Sequence, residues 1–281
     1  MTDSRASIVF CCAVFVTASG ATLHAACRLS PQGDGRVSGI VDARTILLSD
    51  GREVRLAGIE TAGAGIAAKE TSTTATATTG TATARTESVA ALRALVEGRD
   101  VTLHGHDDRP DRYGRQPAFV FLTGSDVSIQ SELLARGAAL VSAIAADKAC
   151  SAALLAAEAE ARTARRGIWA GSTAIKNAER PDDILTGIGQ FAVVEGKVLS
   201  ARLAGATFYL NFGRRWTTDF AVTISRRMMP SFEAAGLDLK SLENKRIRVR
   251  GWVEKRGGPR IELVHAGQIE LIAAADRVAK D

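Results

Sequence analysis

The sequence predicts an α+β protein built on small β-barrels: one barrel with added helices, then a second five-stranded barrel. Three observations point there. Short apolar runs of strand length, bounded by Gly, Asp and Pro, recur along the chain. Their order, three strands, a helix and two strands, occurs twice. A polar stretch containing Pro181-Asp182-Asp183 separates the two sets.

In the first set, Arg36 to Val41 and Thr45-Ile46-Leu47-Leu48 read as strands. Asp50-Gly51 makes a hairpin turn into a third, Glu53 to Ala57. Thr71 to Ala84 is rich in Ala, Thr and Gly without apolar periodicity and reads as a loop. Ser88 is the expected N-cap of a short helix through Ala91, Leu92 and Leu95 that stops at Gly98. Val101-Thr102-Leu103 and Ala118 to Leu122 are the last two strands, and Ser128–Arg136 and Ser151–Arg166 read as helices. In the second set the strands are Phe191 to Leu199, Thr207 to Phe212, Thr217 to Ile224, Arg246 to Val253 and Arg260 to Val264, with a helix after Pro230. Each order is that of a closed barrel of the oligonucleotide-binding type. The expected division is a leader, 1–26, a first domain, 27–170, a linker, 171–189, and a second domain, 190–281.

Arg5, the apolar run Ile8 to Val16 and the small residues Ala18 to Ala26 form a secretory signal pattern, too short to span a bilayer. The expected location is therefore secreted or periplasmic. Removal of the leader leaves Cys27 and Cys150, an even pair suited to a disulfide in an oxidising compartment; lipid attachment at Cys27 is the alternative. The net charge of +5 is uneven: from Phe191 onward there are 16 Lys+Arg against 10 Asp+Glu, and before it 20 against 21. A basic C-terminal third favours an acidic partner. In Arg246–Val253, the apolar Ile247, Val249 and Val253 share one parity, and Arg246, Arg248, Arg250 and Trp252 the other. That second set is expected as a nucleic-acid face, with a solvated strand face or packing against the first domain as the alternative.

Two arginines, each tied to a strand, suggest convergence on one anion. They are Arg55, in Val54-Arg55-Leu56, and Arg115, in Asp111-Arg112-Tyr113-Gly114-Arg115 before Ala118–Leu122. A guanidinium fork matches a phosphate bidentately and keeps its charge near neutrality. No nucleophilic triad or phosphate-cradling glycine loop is evident.

Together these segments resemble the thermonuclease family, the staphylococcal-nuclease-like fold, over roughly residues 36–170. The stretch from Arg250-Gly251-Trp252 through Arg260-Ile261-Glu262 is similar to the second barrel of some bacterial secreted homologues. The resemblance implies phosphodiester hydrolysis with Ca²⁺, a general base and two arginines. Asp42-Ala43-Arg44-Thr45 stands where the family has Asp-Gly-Asp-Thr, so Arg44 replaces a metal-binding aspartate. Arg55 matches a catalytic arginine; Glu60-Thr61 is a longer stand-in for the next metal-binding motif; and Gly63 falls at the general-base glutamate. Arg115 matches the second catalytic arginine and Tyr113 a tyrosine lining the nucleotide pocket. The metal set would be Asp42, Glu60 and Thr61, and the phosphate set Arg44, Arg55, Arg115 and Tyr113. No cofactor is expected unless the site is active, in which case Ca²⁺ is. The expected function is binding of nucleic-acid or nucleotide phosphates at a degenerate nuclease site. The alternatives are an active Ca²⁺-dependent nuclease with altered ligands and a structural envelope or partner-binding module.

Overall fold

A computed structural model describes residues 29–61, 79–105, 109–142, 148–171 and 174–272. The leader, Gly63 and Cys27 lie outside the described residues.

The first barrel is closed by one long strand. β1 (Ser30–Asp42) pairs through its first half with β5 (Asp100–Gly105) and through its second half with β2 (Thr45–Leu48). The hairpin to β3 (Glu53–Leu56) turns at Gly51, whose φ of +88° a glycine adopts without a steric penalty. β3 then runs parallel to β6 (Gln116–Leu122), and β6 pairs with β5, closing the ring β1-β2-β3-β6-β5. Strand alternation sends Val37, Ile46, Leu48, Val54, Leu56, Val101, Leu103 and Val120 into one core. A short pair, β4 (Ile59–Glu60) with β7 (Leu140–Val141), extends the barrel toward the helices.

The first helix departs from expectation. α1 spans Thr79–Val96, beginning inside the segment read as a loop. Ser88 is not its cap but an interior residue, and its hydroxyl donates to Ala84 O and Ala138 O at 2.9 and 2.6 Å. The Ala-rich stretch has high helix propensity, and packing of Leu92 and Val96 supplies the tertiary stabilisation that its weak periodicity does not advertise. α2 (Ile129–Ala135) starts at Ser128, whose side chain accepts from Ser131 N–H, and packs on α3 (Lys148–Thr163).

The stretch expected as a linker is partly built into the second unit. It supplies β8 (Ile175–Asn177), which runs parallel to β9 (Phe191–Lys197), and α4 (Pro181–Leu185). The second unit repeats the first topology with its first strand broken. β9 pairs with β13 (Arg246–Arg256), while β10 (Ser200–Ala204) pairs with β11 (Thr207–Asn211). β12 (Ala221–Ser225) runs parallel to β14 (Gly258–Leu263), the same parallel pairing of third and fifth strands as in the first barrel. α5 (Met229–Ala234) lies in the connection between β12 and β13, and β15 (Ile269–Leu271) adds to β13. The core gathers Phe208, Phe220, Phe232, Ile247 and Val249.

The two units share a third cluster. Leu140, Ala161 and Trp169 from the first pack against Phe191 and Val193 from the second, with Trp252 alongside. Trp252 meets Phe191 edge-on at 5.7 Å. Strands β9 and β13 are therefore covered on both faces, one by their own core and the other by the first unit.

Candidate functional site

The β1–β2 turn carries the first site residues. Asp42 Oδ1 accepts the Arg44 backbone N–H at 2.9 Å, a side-chain-to-backbone turn bond that Asp favours. The turn aims the Arg44 side chain at Glu60, and the two form an ion pair with side-chain exposures of 13% and 6%. Arg55 reaches the same carboxylate from β3, its Nη2 donating to Glu60 Oε1 at 3.0 Å. Thr45 opposes Arg55 in the β2–β3 ladder, which places turn and strand side by side. Glu60 and Thr61 are both buried, Glu60 on β4 where it opposes Leu140.

Arg115 is held by its own loop. Asp111 Oδ2 accepts from Arg115 Nε and Nη2 at 2.9 and 2.7 Å. Asp111 Oδ1 accepts the backbone N–H of Tyr113 and of Arg115. Gly114, at φ +80°, lets the loop turn back on itself. Tyr113 stands exposed with the guanidinium carbons of Arg112 and Arg115 each 4.9 Å from its ring centre.

Charge ties the segments together. Burial, and then the neighbouring Arg55, pulls Arg44 down to about 10. Arg115 and Arg85 act on it in the same direction. Burial, followed by Arg115, also lowers Arg55. Burial alone would raise the Asp111 carboxyl, but the hydrogen bonds from Arg115 and Tyr113 outweigh it and hold the group below its ordinary value. Arg44, Arg55 and Arg115 thus lie in one electrostatic neighbourhood. Asp111 joins Asp42 and Glu60, so the three arginines face three carboxylates. A positive surplus comes from Arg85 and Arg112, neither of which was singled out. Arg85 sits on α1 where the sequence showed only low complexity, whereas Arg112 was legible as a second cation flanking Tyr113.

The oxygen donors expected for a cation are otherwise engaged. Both Glu60 oxygens face guanidinium groups, and Asp42 Oδ1 holds a backbone amide. Among the described residues no three His, Cys, Asp or Glu side chains converge as a metal-holding group. A hard cation needs several such oxygens, so the side chains as arranged do not fit Ca²⁺. The expected disulfide involves Cys27, outside the described residues; Cys150 is buried in the first core.

The arginine-bearing strand of the second unit is not an open face. Arg248 is 8% exposed and Arg250 0%. Arg250 Nη1 donates to Val141 O and to Glu158 Oε2, both at 3.0 Å, and its other arm pairs with Glu270. Arg248 bonds Glu195 and Glu270, and Arg246 bonds Glu195. This corrects the nucleic-acid face expected at Arg246, Arg248, Arg250 and Trp252: the parity was read properly, but Arg248 and Arg250 are buried in pairs with Glu158, Glu195 and Glu270, Trp252 packs in the cluster shared with the first unit, and Arg246, 37% exposed, is paired with Glu195.

Comparison with known proteins agrees with this geometry. Residues 53–171 match the family model of staphylococcal nuclease homologues, covering β3 through the helices behind the site. No curated protein matches the chain. The match points to nuclease-type nucleic-acid binding or hydrolysis, for which nucleases of that family typically use Ca²⁺. Over residues 53–171 the chain is thus similar to the staphylococcal nuclease homologues.

Proposed function

We propose that this is an exported thermonuclease-like protein that binds phosphate groups of nucleic acid or nucleotides through Arg44, Arg55 and Arg115. In this reading the Ca²⁺-dependent phosphodiesterase site is degenerate. The observation that carries it is the Glu60 carboxylate held between two guanidinium groups, one of them Arg44. A unit charge change about 4 Å away is worth roughly 4 kcal/mol at an effective dielectric near 20. Replacing a carboxylate by a guanidinium there works against a divalent cation and in favour of an anion. Burial lowers both Arg44 and Arg55, and neighbouring arginines lower them further, Arg55 acting on Arg44 and Arg115 on Arg55; a bound phosphate would relieve that repulsion. Tyr113, exposed beside Arg115, offers a ring face to a base. Export rests on the leader pattern, and a Cys27–Cys150 disulfide goes with it; two free thiols or a lipid on Cys27 in non-reducing mass spectrometry would remove that part.

The decisive experiment is cleavage of fluorogenic DNA and RNA with Ca²⁺ and with chelator, alongside titration of a nucleoside bisphosphate. The expected result is salt-sensitive binding without Ca²⁺-dependent cleavage. The double change Arg44→Asp with Gly63→Glu is expected to restore some Ca²⁺-dependent cleavage. Chelator-sensitive cleavage by the unaltered protein would replace this reading with that of a working nuclease. Absence of both binding and cleavage would leave a structural module.

A further inference from the structure

We propose that the second barrel carries its own binding site for single-stranded nucleic acid, centred on Trp216. Trp216 lies in the β11–β12 connection and is 72% exposed, while Trp169 and Trp252 are tucked into the contact between the units. An exposed indole offers a flat apolar face, with a polar N–H at its edge, on which a base can stack.

The loop that presents it is ordered by specific bonds. Asp219 Oδ2 accepts the Arg215 N–H at 2.7 Å, and Arg215 O accepts the N–H groups of Thr218 and Asp219. Gly213 is required at the base of the loop, because a Cβ there would lie 2.1 Å from the Asp219 carboxylate. At Gly258 a Cβ would meet Asp219 O at 2.6 Å, so the loop rests directly on the β13–β14 turn. The indole is thereby held out in advance of any ligand, which reduces the ordering cost of binding.

Beside the indole is a cavity of about 430 Å³, a size typical of ligand sites. Ser200, Arg202, Asn211, Gly213, Arg214 and Trp216 line it. Arg202 and Arg214 supply two positive charges, and no carboxylate lines it. In the β10–β11 ladder Arg202 opposes Tyr209 and Ser200 opposes Asn211, so these four share one face of the sheet. The combination of a flat π face and two guanidinium groups fits a base and its adjoining phosphates. A single strand offers both at once, whereas a duplex hides its base faces and an acidic peptide offers charge without a ring. The site is separate from the Arg44, Arg55 and Arg115 cluster and does not rest on the function proposed for it.

The test uses the full chain carrying Arg55→Ala and Arg115→Ala, so that the first domain contributes little. A fluorophore-labelled short oligothymidylate is titrated at low salt and followed by anisotropy. Binding is expected to persist in that background. Adding Trp216→Ala should weaken it by about 5- to 100-fold, the range measured for loss of one aromatic–base stack, and Trp216→Tyr should restore most of it. Adding Arg202→Ala with Arg214→Ala should reduce its salt dependence. Unchanged binding with Trp216→Ala would overturn the proposal. So would oligoglutamate or duplex DNA binding as tightly as the single strand, or absence of binding in this background.

Discussion

Two sets of arginines, one in each barrel, lie on or beside strands of similar topology and meet opposite fates. Arg44, Arg55 and Arg115 keep 13%, 26% and 14% of their side chains exposed. Their partners Glu60 and Asp111 come from the same barrel and its loops. Arg248 and Arg250 keep 9% and 0%, and Arg250 reaches across to Glu158 and Val141 of the other unit. Both sets meet three carboxylates, Asp42, Glu60 and Asp111 in the first and Glu158, Glu195 and Glu270 in the second. The first also has Arg85 and Arg112 nearby, the surplus on which the proposed phosphate binding rests, whereas Arg248 and Arg250 are buried within their pairs. The difference lies in what covers the outer face of the strand, not in the arginines themselves.

The comparison can be broken most forcefully at Arg250. Arg250→Met leaves Glu158, itself 0% exposed, without its guanidinium partner across the interface. A loss of about 3–5 kcal/mol is expected in urea denaturation, the scale for removing one partner of a buried pair. Addition of Glu158→Gln should recover part of it. Next in size, Arg55→Ala with Arg115→Ala should weaken nucleoside bisphosphate binding by about tenfold or more, since a hydrogen bond to a charged group is worth about 1.5–3 kcal/mol. The unfolding midpoint should move far less than with Arg250→Met. Equal affinity in the two proteins would show these arginines to be as self-contained as the second set.

A pH series sharpens the contrast further. Arg44, lowered to about 10, stays charged through neutrality, and phosphate affinity in the unaltered protein should fall only as pH rises through that value. Because the folded group releases its proton before the unfolded one, its contribution to stability should rise, not fall, as pH climbs from about 10 toward the ordinary arginine range. In Arg44→Lys the same burial and neighbours act on a group with an ordinary value of about 10.4. Its loss of affinity should therefore come at lower pH, as calorimetric titration would show. The smallest effect is expected from Tyr113→Ala. Loss of an exposed ring beside Arg115 should cost about 0.5–1 kcal/mol of bisphosphate affinity.

Much of this architecture was legible in the chain. The two runs of three strands, helix and two strands gave both barrels, because alternation and turn residues act locally. The Asp111–Arg115 loop is equally local, since its bonds span at most four residues. What escaped depended on distance. Glu158, Glu195 and Glu270 are scattered along the chain, and nothing in their own neighbourhoods says that they converge on one strand. Alternation separates the faces of β13 but is silent on whether water or another domain covers them. The early start of α1 was hidden because Ala and Thr fit a loop and a packed helix equally well by composition.

Arg250 also ties the second barrel to the strand pair beside the site. It grips the Val141 carbonyl, Val141 opposes Ile59 in the β4–β7 pair, and β4 also carries Glu60. A guanidinium from the second barrel thus stands directly behind the strand that presents the site's carboxylate. Cut at its own boundary, the nuclease-like half would expose the Glu158 carboxylate and the Val141 carbonyl that Arg250 now meets, so the first unit prepared alone is expected to unfold at lower urea than it does within the full chain.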